Sequence, residues 1–250
     1  MTSHRDLPRS DDVRHPARWL LYGGAWFGRF VVRRYYDVHV HHPERFPSSG
    51  PVVVAGNHVG FADGPFMAFL LPRPVHAWTK LEMYKGPLAW FLDRVGQIRL
   101  DRFHTDPLAI RTALRVLRDG HCVGVFPEGT RGSGELDTFH RGAAYLGMVT
   151  GAPVLPVTFL GTRLPGERSG SIPPRRARID IVIGNPLPLQ TVEWPRGKQH
   201  VTAASLRLHD QMRAGLAAAL AETGRTLPGP LPAGDIEPDP ADDVMKERGA

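Results

Sequence analysis

One histidine and one carboxylate stand five residues apart, directly after an apolar run. The run is Val52-Val53-Val54-Ala55, and it leads into Gly56-Asn57-His58-Val59-Gly60-Phe61-Ala62-Asp63-Gly64. Such a run reads as a buried strand, and a strand ending here delivers His58 to the C-terminal edge of an open α/β sheet, where these folds place their chemistry. An imidazole titrates near neutrality, so His58 is suited to take the proton from a hydroxyl as that hydroxyl attacks. Five residues turn about 500° on a helix, which would put His58 and Asp63 on different faces. Gly60 between them predicts a loop that folds back instead. Asp63 is then expected as N-cap of a short apolar helix with Pro65 in its first turn, one carboxylate oxygen taking a helix N–H and the other orienting the imidazole. The chain has no Gly-x-Ser-x-Gly elbow, and neither Ser nor Thr occurs from 57 to 64. The pattern therefore points to direct attack by a substrate hydroxyl without a covalent intermediate.

A second block follows some seventy residues on: Phe126-Pro127-Glu128-Gly129-Thr130-Arg131, after the apolar segment from Cys122. Here Arg131 supplies a cation and Gly129 a backbone that a ligand can approach closely. Glu128 is unexpected in an anion site and is read as orienting an arginine or accepting a bond from a hydroxyl. Arg102, closing Gly96-Gln97-Ile98-Arg99-Leu100-Asp101-Arg102, adds a planar donor fork suited to a phosphate.

Together the two blocks resemble the lysophospholipid acyltransferase family, over roughly residues 35–190. Phe139-His140-Arg141-Gly142 and Ala152-Pro153-Val154-Leu155-Pro156-Val157 resemble its later stretches. The resemblance implies transfer of a fatty acyl group from acyl-CoA or acyl carrier protein to 1-acylglycerol-3-phosphate, giving phosphatidic acid. His58 and Asp63 would be catalytic, with Arg102, Glu128, Gly129, Thr130 and Arg131 at the acceptor. No cofactor and no metal are expected. Two alternatives stand beside it: the same chemistry on glycerol-3-phosphate, another lysophospholipid or a lipid alcohol, and a basic membrane-binding protein without turnover.

The elements that must position these residues fit one α/β domain, a mostly parallel or mixed central sheet with helices on both faces. With 42% hydrophobic residues, a chain of 250 can bury one substantial core. The single Cys122 excludes an internal disulfide and reads as a packed strand thiol. Net charge is +6, but residues 235–250 carry −4, leaving +10 on the rest. A basic body implies an anionic partner. No nucleic-acid-binding signature is present, so an anionic membrane surface is expected and nucleic acid is not.

Residues 1–18 are expected to be disordered and 19–34 to form an interfacial helix. Its apolar stretch, residues 19–32, would span ~21 Å against a ~30 Å hydrocarbon core, too short to cross, and no signal-peptide cleavage site follows. Trp19, Tyr22, Trp26 and Phe30 recur at helical spacing, with Arg29, Arg33 and Arg34 placed to reach phosphates. The expectation is a peripheral protein at the cytoplasmic face of the cell membrane. His39 and His41 share a strand face and lack companions at ligand spacing, so they are read as solvated. Arg111, Arg115 and Arg118 are read as exposed on a helix over residues 106–117. Pro156 predicts an edge strand or bulge. The arginine-rich loop 163–178 is expected to be mobile and exposed, a helix over 202–223 closes domain 35–225, and 226–250 reads as a disordered acidic tail.

Overall fold

Val52–Gly56 (β2) and Cys122–Val125 (β5) are buried along their whole length. A strand apolar at every position needs both faces covered, which puts it inside a parallel sheet. The computed structural model describes residues 7–235 and 243–248. It places β2 and β5 side by side within a seven-stranded sheet. The other strands are Asp37–His41 (β1), Val75–Lys80 (β3), Ile98–Leu100 (β4), Val154–Leu160 (β6) and Arg178–Ile183 (β7), in the order β1-β7-β6-β2-β5-β3-β4. All neighbours are parallel except β6 and β7.

Side chains along the strands alternate between two cores. Val53, Ala55, Val123 and Val125 pack against Pro107–Arg118 (α4), Gly142–Thr150 (α5) and Lys198–Thr223 (α6). Val52, Val54, Cys122 and Val157 pack with Asp63–Phe69 (α2) on the opposite face. Helices thus cover both faces, as the strand pattern required. Trp19–Tyr35 (α1) lies on α2, where a Cβ at Gly28 would sit 3.4 Å from Phe69. Gly86–Arg94 (α3) follows β3, and the short Met245–Arg248 (α7) closes the described chain.

Five readings change. Arg29 does not reach outward: its guanidinium donates to the carbonyls of Phe69, Leu71 and Pro72 at 2.8, 2.5 and 3.1 Å, capping the C-terminal end of α2. Pro156 lies in an interior strand. Its carbonyl accepts from Gly184 at 2.9 Å, and the ladder with β7 starts only at Val157, so the missing N–H faces the side where β7 has just ended. His41, half-buried, donates to the fully buried Asp180 at 2.9 Å and also contacts Glu222, joining edge strand β1 to β7 and α6. Residues 7–18 are held along the body. Arg111 donates to Arg9 O, Arg118 to Pro8 O and Ser10 Oγ, and Arg196 to Leu7 O, because an extended segment without a strand partner leaves its carbonyls to side chains. The same logic holds the start of the tail: Gly229 O and the Asp235 carboxylate accept from the body, and Val244 is fully buried with its N–H on Phe139 O. Residues 1–6, 236–242 and 249–250 lie outside the described residues.

Three imidazoles fasten the N-terminal segment. His15 meets His76 and His121 edge to face, with ring centroids 5.2 and 5.3 Å apart. His121 also bonds Arg18 and Tyr22, each at 3.0 Å, and His76 donates to Gly96 O at 2.7 Å. Burial pushes all three below the ordinary histidine range, His76 to about 4. An unfolded chain regains a histidine of 6.5, so between about 6.5 and 4 it binds protons that the folded chain refuses. Stability must then fall as pH drops through that window, by about 3 kcal/mol for His76 alone. Urea unfolding at pH 7 and pH 4.5 should show this loss in the wild type and a smaller one in His76→Gln. Equal pH slopes in the two proteins would remove His76 as the cause.

Candidate active site

Ala55 pairs with Val125 across β2 and β5, and Gly56 pairs with Val157 of β6. The loops that leave these strands must therefore emerge together at one edge of the sheet. Gly56 is obligatory there: a Cβ would stand 2.7 Å from Met67 and 2.8 Å from Phe159. Asn57 then extends β2 with its side chain, its amide nitrogen donating to Phe159 O at 3.2 Å and its amide oxygen accepting from Phe159 N at 2.7 Å.

His58 and Asp63 meet as expected. Nδ1–H of His58 donates to Asp63 Oδ2 at 2.9 Å, which leaves Nε2 as the basic nitrogen. The imidazole stacks on Phe126, centroids 4.1 Å apart and planes 15° off parallel. Asp63 does not cap the helix forward, however. The same Oδ2 also accepts from Val59 N at 2.7 Å and Gly60 N at 2.8 Å, so the carboxylate reaches back into the loop, and Ala62 takes the N-cap place without a side-chain bond. The donors it takes lie three and four residues before the helix, and not in its first turn. Asp63 is fully buried, and its Oδ1 meets no donor.

Glu128 lies elsewhere than the sequence suggested. Its carboxylate is buried and accepts His58 N–H at 2.7 Å, and Thr138 bonds its carbonyl. Burial pushes its carboxyl up to about 8, against the pull of the His58 N–H. The turn after β5 tucks beneath the histidine loop, so Glu128 supports His58 from below instead of facing an arginine or a ligand. Gly129, at φ +72°, packs so closely on His140 that a Cβ would stand 2.6 Å from its Nε2.

A cleft of about 990 Å³ opens beside His58, between α1, α2, α3 and the sheet edge. Apolar side chains, Phe27, Val31, Phe61, Leu88 and Phe91 among them, wall it, and Lys80, Arg102 and Arg131 line it too. Gly129 lies on this wall, whereas Glu128 and Thr130 do not. Arg102 donates to Gly129 O at 2.9 Å and to Glu82 at 3.1 Å, so part of its donor fork is already engaged. Burial alone would raise the Glu82 carboxyl; its own backbone N–H, Arg102 and Lys80 bring it below the ordinary range. Arg131 donates to Ser169 O at 3.0 Å. Sequence reasoning missed Lys80, although it ends a strand as His58 follows one, and that position was the available signal. It also misjudged Arg163, which is buried and bonded to Val59 O.

An acyltransferase family model matches residues 37–160. The 1-acyl-sn-glycerol-3-phosphate acyltransferase of Bacillus subtilis is 26% identical over 178 residues, covering 70% of this chain and 86% of that protein. The protein of the same name from Borreliella burgdorferi is 29% identical over 123 residues, but this chain spans only 49% of it. The crystal structure of the 1-acyl-sn-glycerophosphate acyltransferase from Thermotoga maritima superposes with a TM-score of 0.56 at 22% identity, over 80% of each chain. That likeness establishes the fold.

The three donors on one Asp63 oxygen make a distinction possible. Asp63→Ala leaves two buried backbone N–H groups and the imidazole without an acceptor, a loss of roughly 2 to 4 kcal/mol. Asp63→Asn retains an acceptor oxygen and should lose less than half of that, measured by urea unfolding. Equal losses would mean that the charge, not the acceptor atom, holds the loop.

Proposed function

This chain belongs to the acyltransferase family and is a glycerolipid acyltransferase, and from that premise we propose that it transfers a fatty acyl group from acyl-CoA or acyl carrier protein to 1-acylglycerol-3-phosphate. The observation that carries the reading is the cleft, which is lined by apolar side chains, by His58 and by the cations Lys80, Arg102 and Arg131. A lysophosphatidate has a part for each, an acyl chain, a free hydroxyl and a phosphate.

In this reading Nε2 of His58 takes the hydroxyl proton as the oxygen attacks the thioester carbonyl. A C–O bond forms, the tetrahedral adduct collapses, the C–S bond breaks, and the imidazolium returns the proton to the departing thiolate. Asp63 holds the tautomer and stabilises the imidazolium in between. Lys80, Arg102 and Arg131 supply charge for the phosphate, and Arg102 also fixes the Gly129 carbonyl. Gly129 gives the acceptor room, while Glu128 and Thr130 act through the turn they belong to.

The acceptor would arrive from a membrane surface. Among the described residues no helix is long and apolar enough to cross a membrane. The outer face of α1 instead exposes Trp19, Trp26, Phe27 and Phe30, and α3 exposes Leu88, Trp90 and Phe91 beside the same cleft mouth. Exposed Arg33 and Arg34 suit anionic headgroups. This exposure supports our reading of a peripheral enzyme, which we place at the cytoplasmic face of the cell membrane.

Thiol release from one acyl-CoA with a panel of acceptors tests the reaction. Lysophosphatidate should be preferred over a monoacylglycerol, and His58→Ala should lose about 10²- to 10⁴-fold in turnover. Retention of a tenth of the wild-type rate would exclude His58 as the base. Preference for the phosphate-free acceptor would move the reading to a lipid alcohol, in line with the existing Arg102–Glu82 pair.

A second measurement concerns the surface. Trp26→Ser with Phe30→Ser removes two rings that are 75% and 59% exposed, so folding stability should barely change. Binding to anionic liposomes in a sedimentation assay should weaken severalfold, about 1 to 2 kcal/mol. Unchanged sedimentation would place the membrane contact elsewhere.

A further inference from the structure

The loop that carries His58 belongs to no ladder, so each of its backbone groups needs a separate partner. His58 N–H has Glu128, His58 O has Gly132 N–H at 2.9 Å, and Val59 and Gly60 N–H share Asp63. Gly60 O accepts from Asp63 N–H at 3.4 Å, and Val59 O accepts from Nε of Arg163 at 2.7 Å. Arg163 is 2% exposed, and its other nitrogens are equally committed. Nη1 donates to Glu167 O at 3.1 Å, and Nη2 donates to Gly132 O at 2.9 Å and Gly229 O at 2.6 Å.

Two of these four carbonyls lie on the two loops of the site. Val59 follows His58, and Gly132 follows Arg131. Gly132 thus bonds His58 O with its N–H while its carbonyl shares a guanidinium with Val59 O, a closed circuit between the loops. Gly60 completes the contact: a Cβ there would stand 2.9 Å from Thr162 O and 3.2 Å from Arg163 Cβ. Arg163 does not line the cleft. Burial lowers its basicity, opposed by the fields of Asp63 and Asp235.

We propose that Arg163 is a positioning residue for the transfer reaction: its guanidinium staples the His58 loop to the Arg131 loop from the side away from substrate. This rests on the proposed role of His58. A lysine cannot substitute fully, since one ammonium lacks the planar spread of donors that reaches four carbonyls.

Arg163→Ala and Arg163→Lys in the full chain test the staple. Misplacing a base by about 1 Å can cost on the order of a hundredfold. For Arg163→Ala the expected result is a fall in kcat of about ten- to a hundredfold per folded molecule, with both KM values within about threefold of wild type. Guanidinium ion, well below its denaturing range, should restore part of that kcat but none in His58→Ala, and Arg163→Lys should fall between. Hydrogen exchange should quicken in peptides covering 57–61 and 130–133 and stay unchanged in β5. Wild-type kcat per folded molecule, a loss confined to KM, or unchanged exchange at both loops would each overturn the inference. Full activity of His58→Ala would instead sink the role given to His58, and the exchange data would still decide whether Arg163 holds the loops.

Discussion

A backbone that leaves a sheet at its C-terminal edge loses the ladder that satisfied it, and around His58 that loss falls in a buried place. Unpaired N–H and C=O groups there would each cost on the order of 1 to 3 kcal/mol. Two side chains beside the loop and two from distant parts of the chain meet the demand: Asn57 bonds Phe159, Asp63 gathers three donors, Glu128 takes the His58 N–H, and Arg163 takes the Val59 carbonyl. The parallel register of β2 with β5 and β6 brings those parts together. The orientation of His58 and backbone satisfaction thus depend on the same set of bonds, and the imidazole is aimed by groups that the fold needs in any case.

The cleft combines two kinds of chemistry. Its apolar lining comes from helices and strands alike, and its cations from the end of a strand and the segments that follow strands. Arginine in the cleft is not bare charge. Arg102 is shared with Glu82 and the Gly129 carbonyl, so any anion bound there meets a cation already oriented and partly neutralised.

The sheet was legible because its inner strands are short, largely apolar runs and its outer ones alternate, and the His58–Asp63 contact was legible because Gly60 signals a return loop. What the spacing could not reveal was which atoms Asp63 would choose, since loop and helix N–H groups are both within reach of a short carboxylate. Glu128 reads like a partner of an arginine or a hydroxyl until the turn after β5 is seen to bring its carboxyl to the His58 N–H. Composition misled at both ends and in the loop after β6. Residues 7–18, 163–178 and 226–235 are rich in proline, glycine and charge, the usual signature of disorder, yet side chains of α4 and of Arg163 bind their carbonyls. The α4 contacts join residues about a hundred positions apart and the one to Gly229 spans 66, so they leave no local pattern.

Arg29 grips the three carbonyls at one end of α2, and Asp63 begins the other. At seven residues, α2 is a rod about 10 Å long. A rod of that length tilted by about 6° shifts its far end by about 1 Å, enough to break the hydrogen bond between carboxylate and imidazole. The aromatic helix α1 therefore holds one end of a lever whose other end is the carboxylate beside the imidazole. Whatever surface α1 rests on sets the fulcrum.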